Sequence, residues 1–188
     1  MTVARVNVAW QNWPGAPGVT VFYADTTGMQ TTVDGLRAFF NSCAALLPSG
    51  MTITVPGTGD NIDEATGALV GTWAVGTPPV VVTATGAGAY AGNAGAVVHW
   101  LTASVINGRR LRGRTFLVPL IATAYDTSGS IVASALTTLN NAATTLLAGA
   151  GTNLKIWHRP DPPAAGSVAA WNGYRIPDLA VSLRSRRI

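Results

Sequence analysis

The second half of this 188-residue chain repeats features of its first half. A Tyr/Asp/Thr/Gly turn occurs at residues 23–28 and again at 125–129, and each is followed by an amphipathic run that ends at glycine before a short apolar strand. Tryptophans recur at matching places, Trp10 with Trp100 and Trp73 with Trp171. Because each copy must bury the same apolar pattern, the repeat predicts two similar units that share one core.

Periodicity assigns the elements of each unit. Alternation in which Val6, Val8 and Trp10 share one face is typical of a strand. Helices are indicated where apolar residues recur at helical spacing, with Thr31 or Thr32 as the first N-cap. The two helical stripes are Leu36, Phe39, Phe40, Cys43, Leu46 and Leu47, and Val132, Leu136, Leu139, Ala143, Leu146 and Leu147. The predicted strands are 3–10, 19–23, 51–55, a hairpin over 62–75, 79–85, 96–105, 114–120, 153–158 and 174–183.

The predicted fold is α+β and β-dominated, an internal duplication of a β-β-α-β-β unit. Each antiparallel sheet is expected to be covered by one helix. The first unit spans 1–86, a Gly/Ala-rich junction spans 87–95, and the second unit with a basic C-terminal tail spans 96–188. Asn107-Gly108 predicts a hairpin turn of type I′ within the second unit.

Few residues of the chain are charged. Hydrophobic residues make up 48% and charged residues 11%, against about 25% charged in ordinary globular domains. The surface must therefore consist of neutral polar groups, or be covered by neighbouring copies. No apolar run reaches the length of a membrane helix, and the first residues do not have the pattern of a secretory signal. We therefore expect no membrane partner.

The charges are unevenly distributed. Residues 1–100 carry two basic and five acidic side chains, whereas residues 101–188 carry ten basic and three acidic ones. The basic residues include an arginine row and a C-terminal patch, namely Arg109, Arg110, Arg112 and Arg114, and Arg184, Arg186 and Arg187. Alternate arginines of a strand project from one face and suit carboxylates of a neighbouring subunit or phosphates. Subunit contact, solvated charge and nucleic-acid backbone contact all remain open, although sparse aromatic residues argue against base stacking.

Residues suited to catalysis are few and scattered. His99 and His158 lie on predicted strands outside any metal or triad motif, and the lone Cys43 is expected to be buried. The acidic cluster Asp60, Asp63 and Glu64 is interpreted as a solvated turn, with cation binding and glycoside hydrolysis as alternatives. No nucleophile or phosphate-binding motif occurs. The chain is therefore expected to be non-enzymatic, with no cofactor, metal or small-molecule substrate.

Three segments resemble small virion-associated proteins of tailed phages that infect high-GC bacteria. They are residues 19–23, 108–119 and 183–187. The resemblance implies a particle component, a tail, connector or capsid accessory subunit located in the virion and assembled in the host cytoplasm. Its expected partners are copies of itself and other virion proteins, with tail or head–tail assembly favoured over capsid decoration. A carbohydrate- or host-surface-binding module is the competing class.

Overall fold

A computed structural model describes most of the chain. It covers residues 2–12, 18–88, 90–101, 105–106, 109–110, 114–127, 131–150, 153–159 and 174–175, with side chains described within 2–12, 18–88, 118–127 and 131–146. The structure is α+β and dominated by strands. Its elements are β1 (Thr2–Gln11), β2 (Gly18–Asp25), α1 (Met29–Cys43), β3 (Thr52–Val55), β4 (Thr58–Asp63), β5 (Leu69–Ala74), β6 (Val80–Thr83), β7 (Tyr90–Leu101), β8 (Val105–Ile106), β9 (Arg109–Arg110), β10 (Arg114–Ile121), α2 (Ala133–Ala150), β11 (Asn153–Arg159) and β12 (Tyr174–Arg175).

Strand β1 is the centre of the first sheet. On one side it pairs with β2 along its length, from Val3 opposite Asp25 to Trp10 opposite Gly18. On its other side β3 pairs with one end of β1 and β4 with the other end, and all pairings are antiparallel. The predicted inward face is confirmed, because Val6, Val8 and Trp10 are buried in the core.

The first sheet curls at a corner between β3 and β4. Ala9 lies opposite Thr54, and Arg5 lies opposite Asp60. Arg5 and Ala9 are four positions apart on β1, whereas Thr54 and Asp60 are six positions apart, so the chain from β3 to β4 has two extra residues and bends. The outermost strand also differs on the two sides of this corner: β6 pairs with β3, and β5 pairs with β4. Gly57 holds the corner closed: its carbonyl accepts a hydrogen bond of 2.8 Å from the amide of Val75.

The second sheet has the order β10-β7-β11-β12 and is antiparallel. In the first half of the chain, β1 lies between β2 and β3, the strand that follows α1. In the second half, β7 lies between β10 and β11, the strand that follows α2. The predicted hairpin is confirmed by the pairing of β8 with β9, although residues 107 and 108 themselves lie outside the described residues.

The two helices pack against each other, and the core lies between and around them. Trp10 of β1 meets Phe40 of α1 edge to face, with ring centroids 5.3 Å apart. The core side chains that the helices contribute include Leu36, Phe39, Phe40 and Cys43 from α1 and Leu139, Ala143 and Leu146 from α2. These residues belong to the predicted helical stripes, so the two amphipathic faces are confirmed.

Several predicted boundaries are wrong. Helix α1 begins at Met29 and is preceded by Gly28 in the left-handed conformation, with no side-chain cap, so neither Thr31 nor Thr32 caps it. A left-handed glycine reverses the chain before the helix without any side-chain oxygen, and this conformation is open to glycine and not to threonine. Strand β7 begins at Tyr90 rather than 96, and β4 begins at Thr58, inside the predicted acidic loop. Of the last predicted strand, β12 is the described part.

Candidate interaction surface

The face of the first sheet that points away from α1 bears exposed apolar side chains. Val19, Ala9, Thr54 and Val81 lie directly opposite one another across four strands, and we call them the apolar row. The valines at its two ends are 59% and 58% exposed, among the most exposed large apolar side chains in the described residues. At the usual spacing between strands the row is about 14 Å wide. Ala9 and Thr54, which lie between these valines, are half-buried. Exposed apolar side chains on one sheet face are a feature of interaction sites.

Uncharged residues flank the apolar row. Gln11, Thr52 and Thr83 form the next row on one side. Asn7 and Val21 lie opposite each other on the other side. This part of the outer face therefore carries no net charge, which favours contact with another neutral surface over contact with a phosphate backbone.

The first charges beyond these rows neutralise each other. Arg5 on β1 forms an ion pair with Asp60, which lies directly opposite on β4. The prediction that Asp60 belongs to a solvated turn is therefore wrong, because β4 extends into that segment. Trp73 fixes this region from the inner side: its indole N–H donates to the carbonyl of Arg5 at 3.1 Å. Gly59 leaves the room for that ring, since a Cβ there would lie 2.6 Å from it.

The other two acidic residues of the predicted cluster have separate roles. Asp63 is the last residue of β4 and lies opposite Thr2, so the turn begins only after it. Its carboxylate accepts hydrogen bonds from the amide and hydroxyl of Thr66, in that turn, at 2.8 and 2.9 Å. These hydrogen bonds lower the pKa of Asp63 from its ordinary value of 3.8. Glu64 is buried, with 7% of its surface exposed. In the described part of the chain, no three His, Cys, Asp or Glu side chains lie together as a metal site requires.

A polar cluster that the sequence pattern did not reveal connects α1 to the sheet corner. Arg37 is 7% exposed and donates to the hydroxyl of Thr77 at 2.5 Å and to the carbonyl of Pro78 at 2.7 Å. It also bonds Asp34 at 3.1 Å, and Gln30 accepts from the amide of Gly76 at 3.2 Å. An arginine within an apolar helical run, three residues after an aspartate, was the one available signal.

The structure divides the predicted arginine row between two sheets. Arg109 and Arg110 form β9 in the small hairpin, whereas Arg114 begins β10 of the second sheet. Arg112 and the tail residues Arg184, Arg186 and Arg187 lie outside the described residues, and no side chain of the seven is described. Their role as contact residues therefore stays a prediction.

The remaining candidate residues lie in the hydrophobic core or on strands. Cys43 is buried, and burial raises the pKa of its thiol to about 12, so it is unreactive at neutral pH. Trp10 and Trp73 are 3% and 6% exposed and therefore present no aromatic platform. His99 and His158 lie on β7 and β11, as predicted, with side chains outside the description.

Comparison with family models, with curated proteins and with solved structures finds no match to the chain. Among the helices of the described residues, none is long and apolar enough to cross a membrane. Function is therefore inferred from the exposure and charge of the surface residues.

Proposed function

We propose that this chain is a non-enzymatic structural subunit of a phage particle that associates with copies of itself or docks on a symmetric neighbour. Tail or head–tail assembly is the favoured position, with capsid decoration as the alternative. The observation that carries the proposal is the neutral outer face, where Val19 and Val81 of the apolar row are exposed on a chain with few charges of its own. Such a face is stabilised when a neighbouring subunit covers it.

A duplicated unit would suit such a subunit. We propose that the two halves descend from one β-β-α-β-β ancestor, because each places its first long strand between the same two partners. Three copies of a two-unit chain present six similar faces and match a sixfold neighbour. The halves differ in charge, with a net of −3 over residues 1–100 and +7 over residues 101–188, so the basic half of one copy can lie on the acidic half of the next.

A carbohydrate- or host-binding module would need exposed aromatic rings. Both tryptophans whose side chains are described are buried. Of the acidic residues, Asp60 forms an ion pair, Asp63 accepts hydrogen bonds from Thr66, and Glu64 is buried. These placements favour the structural role over the binding module.

Particle mass and symmetry test the proposal. We expect the purified full chain to form rings or small symmetric oligomers, visible by electron microscopy and with a defined mass by light scattering. A glycan array on the same sample separates the two classes of function. A monomer at all accessible concentrations that binds glycans would overturn the structural role.

A further inference from the structure

The first sheet has three strands at its edges, and they differ in how well another strand can pair with them. Strand β6 is four residues long and follows Pro78-Pro79. Strand β5 contains Gly71, and its register with β4 shifts next to Asn61. Short strands, prolines and bulges are the features that natural proteins use to block pairing at a sheet edge.

Strand β2 has none of these features. Its eight residues pair with β1 in unbroken register, and it contains no Pro, Lys or Arg. Among the described residues, β1 is the strand with which it pairs. Its one charge, Asp25, is the last residue of the strand. A long, regular edge whose one charge lies at its end presents backbone donors and acceptors to another strand.

We propose that two copies of this chain associate through β2, pairing the two edge strands antiparallel about a twofold axis at Val21 so that the first sheets become continuous. This inference rests on the proposed function and names the contact by which copies associate. In this register, Val21 meets Val21 of the second copy, and Val19 meets Tyr23. These are β-branched and aromatic pairs on the outer face, the kind that stabilise neighbouring strands.

Charge is compatible with a second copy as the partner. Asp25 lies four residues from the axis, so the two aspartates are about 27 Å apart along the paired strands. That separation exceeds the Debye length of about 8 Å at physiological salt, and the two charges do not repel each other appreciably. The neutral rows around Val19 and Asn7 extend from one copy into the next without bringing like charges together.

A matched pair of lysine variants tests the contact, because Val19 and Val70 are similarly exposed, at 59% and 54%, and Val70 lies outside the apolar row. Val19→Lys places a charge on the β2 edge, and Val70→Lys places one on β5, another edge strand of the same sheet. In sedimentation experiments on the full chain, Val19→Lys should raise the dissociation constant of the dimer at least about tenfold. Val70→Lys should change it less than about threefold. Circular dichroism checks that both variants fold.

A cysteine variant tests the register independently of affinity. Residues directly opposite in an antiparallel pair have Cα atoms about 4.5–5.5 Å apart, within disulfide reach. Val21→Cys should therefore give a covalent dimer under mild oxidation, whereas Val81→Cys should not, and the buried Cys43 contributes no background.

Equal dissociation constants for the two lysine variants, together with no crosslink at position 21, would overturn the β2 contact. If the wild-type chain still forms a symmetric oligomer in that case, the proposed structural role stands and another surface mediates it. A wild-type chain that stays monomeric would count against both proposals.

Discussion

At the scale of single residues, Arg37 is the side chain that contributes most clearly to holding the corner of the first sheet against α1. Its guanidinium donates to the hydroxyl of Thr77 and the carbonyl of Pro78, and it also donates to the carboxylate of Asp34 on its own helix. A planar group with five donors can serve several acceptors at once, which a lysine ammonium on a flexible stem does less well.

Replacing Arg37 by methionine should therefore lower the free energy of unfolding by about 1–3 kcal/mol, because charged hydrogen bonds are lost while the apolar stem is retained. Arg37→Lys should give an intermediate loss. Urea denaturation followed by circular dichroism measures both. Asp34→Asn is the control: this side chain is 53% exposed, so the change should stay within about 0.5 kcal/mol. Equal losses at positions 34 and 37 would show that the corner does not depend on the guanidinium.

At the scale of elements, periodicity in the sequence predicted most strands and both helices, since alternation and helical stripes record directly which face is buried. It failed where structure depends on contacts between distant segments. Segment 57–64 has the composition of a loop, yet Asp60 lies on β4, which pairs with β1 and places Asp60 opposite Arg5. The apolar row was also missed: its members come from four strands, and only the register of the sheet brings them together.

The sheet corner leads to a prediction about Gly57. This residue is buried, and a side chain there would collide with the carbonyl oxygen of Thr77. Gly57→Ala should therefore force β3 and the 75–79 segment apart and destabilise the fold by about 1–3 kcal/mol. Gly76→Ala is a matched control in the facing segment, because nothing lies within 4 Å of its Cβ position. Thermal and urea unfolding of the two variants should differ clearly, and similar midpoints would contradict the close approach.

At the scale of the whole molecule, the separation of charge between the halves makes assembly depend on salt. If the basic half of one copy contacts the acidic half of the next, raising ionic strength weakens that contact, whereas apolar contacts persist. Light scattering across a salt series therefore separates the two contributions. A partial loss of mass at high salt is expected, because β2 pairing and the apolar row remain.

The arginine row provides the specific form of this prediction. Arg112→Glu combined with Arg114→Glu should reduce the oligomer fraction at low salt and flatten its dependence on salt, because repulsion replaces attraction toward the acidic half. The double variant Lys155→Glu and Arg159→Glu changes the net charge equally at positions outside both arginine patches. If the two double variants behave alike, net charge alone matters and the row has no specific contact. If neither affects assembly but the row variant alone loses affinity for duplex DNA in a salt-dependent assay, the arginines contact a phosphate backbone instead.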